Sequence, residues 1–189
     1  MMPEHTDRKS SIASTAYPER MLQFGYGDMF RKLSGFSDDF INKDEINNSG
    51  VVIVTSHEQS LSSSTEDKFI SRVLCDNVQW PAILELATEP QLKMIILDKK
   101  FSKKNILKDN INSAPPYSFP GKLLALLFHR FKKHGNDLAK GIAIIAVNGD
   151  HTSPEIVQSV LLEIAHLNEL SPCFLDWIEN ANRFYSIYK

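Results

Sequence analysis

The stretch RMLQFGYGDMFRKL, residues 20–33, is where residue types and spacing come closest to chemistry. An apolar run enters Gly25 and Gly27, and an amphipathic stretch follows. Glycine at both places lets the backbone turn tightly and approach a pyrophosphate, whose charge is met by the amides at the N-terminus of the next helix. The candidate dinucleotide site read this way comprises Gly25, Gly27, Asp28, Met29 and Arg31, with Phe30 where the third glycine of the usual fingerprint stands. A carboxylate at the mouth of a phosphate site costs electrostatic energy unless it is paired or turned away. Arg31 can compensate for Asp28, or it is simply a solvated helix charge. A G-x-G after a strand is also a common plain turn, so the pattern by itself leaves cofactor binding and a structural turn both open.

Other chemistry-bearing residues are scattered. His57 and Glu58 follow a second apolar run, the place from which an acidic residue binds the ribose hydroxyls of adenosine. The distance from Gly27 exceeds the usual ~20 residues, and a surface loop charge is the other reading of Glu58. His129, His134, His151 and His166 show no metal spacing with carboxylates, and Cys75 and Cys173 lie far apart with no second ligand pair. Neither a metal site nor a disulfide framework is expected. Lys99, Lys100, Lys103 and Lys104 cluster either as a solvated loop or as an attraction for phosphate. The formal charge of -2 leaves no electrostatic footprint for nucleic acid or an anionic membrane. No apolar run approaches the ~20 residues of a membrane span, and the polar opening is unlike a signal peptide, so the cytoplasm is the expected location.

The elements that must hold the glycine turn follow from periodicity. Residues 1–16 are polar and serine-rich without periodicity, which predicts a flexible arm, and one domain is expected over 17–189. Met21 to Phe24, Val51 to Val54, Met94 to Leu97 and Ile142 to Val147 read as strands apolar on both faces, which suits a parallel sheet covered by helices. Leu124, Leu127, Phe128 and Phe131 recur at helical spacing after Pro120, and Ile156, Val160, Leu161 and Ile164 do so after Ser153 and Pro154. Residues 105–120 read as a long connection. The alternation predicts an α/β, doubly wound, mainly parallel Rossmann-like sheet, with Met21 to Phe24 beside Val51 to Val54 and the glycines at the carboxyl edge.

Four segments, in order, resemble the N-terminal half of the mannitol dehydrogenase and tagaturonate reductase family. QFGYGDMFRKL is similar to the family's F-G-x-G-N-F-x-R-A, with Gly25, Gly27 and Arg31 on family positions. SGVVIVTSHEQS resembles the second strand and its loop, SAPPYSFPGKLLALLFHRF the A-P-x-x-S-Y-P-A-K-L segment, and FLDWIENANRFYS the W-L-x-x-A-N-x-F-x-S segment. The resemblance implies a Rossmann-type domain holding NAD, part of an enzyme that interconverts a keto sugar acid or ketose with its alcohol by hydride transfer. It also implies Glu58 as a family glutamate and Asn182 as the asparagine of the sugar site, although Asn182 could equally cap a terminal helix.

The departures are as specific. Leu97, Asp98, Lys99, Lys100, Phe101 and Ser102 replace the family's S-N-T-T-E-A-G-I near the nicotinamide. With the nicotinamide end unsupported, any NAD binding is expected to be weak, and since no residue here matches the catalytic lysine of the family's helical domain, no catalytic residue is assigned and turnover by the chain alone is not expected. A homo-oligomer or a complementary C-terminal chain is the partner implied, with an uncovered apolar face around Phe174, Trp177 and Ile178. Two classes stay open: the nucleotide half of an oxidoreductase, or a degenerate non-catalytic module that keeps the fold.

Overall fold

The computed structural model describes residues 17–25, 43–56, 69–98, 101, 103, 106–147 and 152–187. Six strands form one sheet: β1 Glu19–Phe24, β2 Gly50–Thr55, β3 Ile70–Cys75, β4 Met94–Leu97, β5 Ala143–Val147 and β6 Arg183–Ile187. Their order is β3-β2-β1-β4-β5-β6 and every neighbouring pair is parallel. The expected doubly wound architecture is present, and among the described strands the sheet is wholly parallel. β1 and β2 are adjacent as anticipated, pairing Phe24 with Val54. The predicted flexible arm over 1–16 lies outside the described residues.

Among the described residues five α-helices connect or cover the strands: α1 Lys43–Asn47, α2 Asp76–Ala87, α3 Phe119–His134, α4 Pro154–Leu167 and α5 Pro172–Ala181. The starts of α3, α4 and α5 share one local device. Ser118, Ser153 and Ser171 are extended N-caps whose hydroxyls accept from the amides of Gly121, Ile156 and Phe174, each with proline at the first or second helical position. The cap satisfies an orphan amide, and proline there forfeits a hydrogen bond the helix could not make. α2 is less regular. Pro81 sits inside it, Gln79 leaves helical geometry, and the Gln79 side chain accepts from the Cys75 amide at 2.9 Å where a capping residue is absent.

Alternate residues of each strand serve two cores, as the period of a strand requires. Leu22, Phe24, Val52, Val54, Ile95, Leu97, Ile144 and Ala146 pack on α2 to α5, whereas Met21, Val51, Ile53, Met94, Ile96 and Ile145 pack on the opposite face with Ile46 of α1. β3 and β6 interrupt their apolar residues with Ser71, Arg72 and Ser186. They are the sheet's outer strands, half-buried for most of their length, so a search for continuous apolar runs passes over them.

The expected uncovered face at the C-terminus is corrected by the structure. Phe174, Trp177 and Ile178 are fully buried. α5 lies against α3, with Phe174 5.0 Å from Phe128 and 5.2 Å from Phe131, ring centre to ring centre, before the chain re-enters the sheet as β6. Burial of such side chains contributes roughly 1.5–3 kcal/mol each, which this domain obtains internally.

Candidate functional site

The reversal of strand order falls between β1 and β4. β1 leads leftward through β2 to β3, and the chain then crosses to β4 on the other side of β1. The carboxyl ends of two strands at such a reversal are where doubly wound sheets bind ligands. The registers align Leu74, Val54, Phe24, Leu97 and Ala146 across the sheet, and Cys75, Thr55, Gly25, Asp98 and Val147 are the residues that follow them at this rim.

Gly25 is at the centre of that row. Its φ of +102° lies where residues with a side chain rarely go, and a Cβ built there would stand 2.9 Å from the carbonyl oxygen of Asp98. The turn is held on three sides. The Gly25 amide donates to Val54 O at 3.1 Å, the Asp98 amide donates to Phe24 O at 2.9 Å, and the buried Gln23 side chain donates to Gly25 O at 3.1 Å. Phe119 packs edge-on against Phe24 at 5.0 Å and Phe101 against Phe119 at 5.9 Å, an aromatic support on the face that carries α3. Gly27, Asp28, Met29, Arg31 and Glu58 lie outside the described residues, as do His57, His151, Lys99, Lys100 and Lys104. Of the predicted cofactor residues, Gly25 is the one whose geometry is described.

The helix starts near the rim are not equivalent. At α3, Ser118 donates its backbone amide to Asp109 Oδ1 at 2.7 Å and its hydroxyl to Asp109 Oδ2, and the Asp109 carboxylate lies so close to Gly121 that a Cβ there would meet it at 2.5 Å. Asn168 anchors the same loop, accepting from Ile111 N at 3.2 Å and donating to Asp109 O at 3.1 Å. A carboxylate already stands at the N-terminus of α3, so that helix end is not open to a phosphate. At α2, Asp76 is 1 % exposed, and its Oδ2 accepts from Lys122 Nζ at 2.8 Å. Asp76 Oδ1 is buried with no hydrogen-bond partner. Asn77, beside it, donates to Ser56 O at 3.0 Å and ties the ends of β2 and β3 together.

Asn182 is not brought to this rim. It precedes β6 at the amino end of the sheet, 2 % exposed, where it accepts from the Ile142 amide at 3.1 Å and donates to Trp177 O at 3.1 Å. Its side chain thus closes α5 and fixes that helix to the start of β5, the capping role that the residue type also suggested. His129 borders a groove of about 600 Å³ between α2 and α3 with Pro81, Leu84, Lys132 and Lys133, away from the glycine turn. Burial, and then the nearby Lys132 charge, lower its pKa from the ordinary histidine value. His134 meets Thr88 O at 2.7 Å, and Lys103 pairs with Glu163 at 3.0 Å. Among the described residues no cluster of histidine, cysteine and carboxylate could hold a metal, and no helix is long and apolar enough to cross a membrane. Sequence reasoning missed Asp76 and Lys122. They are 46 positions apart, and only the packing of α2 on α3 makes them a pair.

No family model matches the sequence. Altronate oxidoreductases of Shigella sonnei (strain Ss046) and Escherichia coli O1:K1 / APEC are 28% identical over 207 aligned positions, covering 96% of this chain and 43% of theirs. The chain therefore spans less than half the length of these curated relatives, matching their N-terminal part. Among solved structures, mannitol 2-dehydrogenase of Pseudomonas fluorescens, in a ternary complex with NAD and D-mannitol, superposes with a TM-score of 0.58 at 14% identity over 89% of this chain and 41% of its own. A D-sorbitol dehydrogenase in substrate-free form gives 0.58 at 13% identity over 90% of this chain and 43% of its own. At such identities the structural likeness concerns the fold.

Proposed function

We propose that this chain, a relative of the N-terminal domain of the mannitol dehydrogenase family, is the NAD-binding half of an oxidoreductase resembling altronate oxidoreductase. The observation that carries the reading is Gly25, in a left-handed turn at the carboxyl end of β1, where the strand order reverses. Bound there, NAD would supply hydride transfer between a keto sugar acid or ketose and its alcohol. The chain's own part is placement. The tight turn brings backbone to the pyrophosphate, and the Phe24, Phe119 and Phe101 cluster gives the turn a rigid base.

The residues present fit a dinucleotide in one respect: a glycine turn at the strand-order reversal with no room for a side chain. Binding is expected to be weak, because the loop that would support the nicotinamide end is replaced here by the stretch beginning Leu97, Asp98 and Lys99. Carbonyl reduction also needs a proton donor and an oxyanion stabiliser, and we place these outside this sequence, in a second domain or a partner copy. The cytoplasm is the location that fits this chemistry. The same altered loop favours the second reading, a non-catalytic module that keeps the fold.

Calorimetric titration of the purified chain with NAD and NADH tests the proposal, alongside NADH oxidation with a panel of keto sugar acids and ketoses. Binding with background oxidation is the expected result. Absence of binding to either nucleotide would leave the non-catalytic module, and steady turnover by the chain alone would overturn the assignment of catalysis to a second domain.

A further inference from the structure

The outward ridge of α2 separates two recesses of opposite charge. Glu85 stands on the crest and borders both, Pro81, Leu84 and Thr88 lie on one flank, and Leu86 and Glu89 lie on the other. The first flank faces α3 across the groove of about 600 Å³ that holds His129, Lys132 and Lys133. The second borders a recess of about 190 Å³ shared with Glu19 and Arg72. Among the described residues no carboxylate pairs with Lys132 or Lys133, and Lys132 Nζ lies 4.8 Å from the Phe128 ring centre instead. Burial, and then the Lys132 charge, lower the His129 pKa, as expected in a cationic groove without a facing anion. In the other recess Arg72 is already taken by Glu19 at 3.0 and 2.8 Å, which leaves Glu85 and Glu89 as its excess charge. Lysines in the last turn of α3 also suit the helix dipole, but that role does not account for the acidic recess across the ridge. Apolar groups are exposed on the same helix, where Val78 is 66% exposed and Pro81 is open to solvent.

We propose that this ridge docks a second copy of the chain about a two-fold axis running along α2, so that the acidic recess of each copy meets the lysine groove of the other. Symmetry selects that axis. A two-fold parallel to the ridge carries one flank onto the opposite flank, and both charge contacts form at once, whereas an axis across the ridge sets like on like. Pro81 then packs near its own counterpart. The two Glu85 carboxylates also meet near the axis, each beside the lysines of its own groove. Each copy brings Glu19, Glu85 and Glu89 against Arg72, Lys132 and Lys133, so the contact is neutral as a whole and polarised across the ridge. The inference is independent of the dinucleotide reading, since the groove lies away from the glycine turn.

Sedimentation equilibrium of the full chain tests it. A reversible monomer–dimer equilibrium is expected, with a dissociation constant that rises about tenfold or more between roughly 0.01 M and 1 M salt, as screening shortens from about 30 Å to about 3 Å. Lys132→Glu with Lys133→Glu makes both flanks acidic, and Glu85→Lys with Glu89→Lys makes both basic. Each double variant alone should dissociate at least about tenfold more readily. Mixed in equal amounts the two should recover a dimer, because every acidic flank then finds a basic one. That recovery separates pairing across the ridge from simple loss of stability. If either variant does not fold, the neutral pairs Lys132→Gln with Lys133→Gln and Glu85→Gln with Glu89→Gln should weaken the dimer and flatten its salt dependence. A chain that stays monomeric at every concentration and salt, a dimer that the substitutions leave intact, or folded charge-reversed variants that do not recover on mixing would each overturn the proposal.

Discussion

The two rims of the sheet are built on opposite terms. At the amino rim, buried polar groups are answered by backbone. Arg130 of α3 is 2% exposed and donates to Lys140 O at 2.6 Å, Ala87 O and Glu89 O at 2.8 Å and Leu92 O at 3.4 Å, stitching together the loops before β4 and β5. Burial lowers its pKa to about 10, well above neutrality, so the guanidinium stays charged while its fork of donors serves four carbonyls. Asn182 and the Trp177 indole, which donates to Asp137 O at 3.1 Å, close the remaining gaps. The carboxyl rim instead carries a left-handed glycine, a carboxylate oxygen without a partner and a row of strand ends that face the switch point. The amino rim answers its buried polar groups fully, whereas the carboxyl rim leaves one buried carboxylate oxygen unanswered beside a strained glycine turn.

The largest expected effect breaks the amino rim. Arg130→Met leaves the four carbonyls without their donor and should lower stability by about 3 kcal/mol in urea unfolding. Arg130→Lys should recover only part, because an ammonium lacks the planar fork. Gly141→Ala belongs to the same class, since its Cβ would stand 1.8 Å from the backbone oxygen of Ala181. A stability unchanged in both would mean that this rim is not the anchored one.

Next in size is an effect on the other side. Gly25→Val should cost about 1–2 kcal/mol in stability, from a strained φ and the close Asp98 carbonyl, and should remove dinucleotide binding in calorimetry. Binding retained by a folded Gly25→Val chain would detach the glycine turn from the ligand. Asn182→Ala sharpens the contrast from the opposite direction. It should lower stability by about 1–2 kcal/mol through the unanswered Ile142 amide, yet leave the affinity for NAD unaltered. A selective loss of ligand affinity would restore Asn182 to a binding role.

The smallest effect lies in the groove between α2 and α3. Burial and Lys132 hold the His129 pKa below its ordinary 6.5 in the folded chain, so the unfolded chain takes up the proton more readily. Stability should therefore decline as pH falls through 6.5 and level off below the folded-state pKa. His129→Gln should flatten that slope between about pH 5 and pH 8, measured as the urea midpoint. A slope unchanged by the substitution would assign it to other groups.

Periodicity and turn chemistry in the sequence already determined the class of fold, the four central strands, the helix starts at Pro120 and Pro154, and Gly25 as a turn at a strand end. Those are local properties: strands buried on both faces must be apolar throughout, and proline and serine mark helix starts by their own hydrogen-bonding limits. β3 and β6 were not legible in this way, because outer strands tolerate the serines and the arginine that interrupt their apolar residues. The same limit applied to Phe174 and Trp177, whose apolar face says only that something covers it. That α3 provides the cover is a matter of tertiary packing. Asn182 kept two readings until the fold put it at the amino rim, and Asp76 had none until α2 and α3 came together. A hydrogen-bond partner, or the want of one, is a relation between distant segments, and only the folded chain decides it.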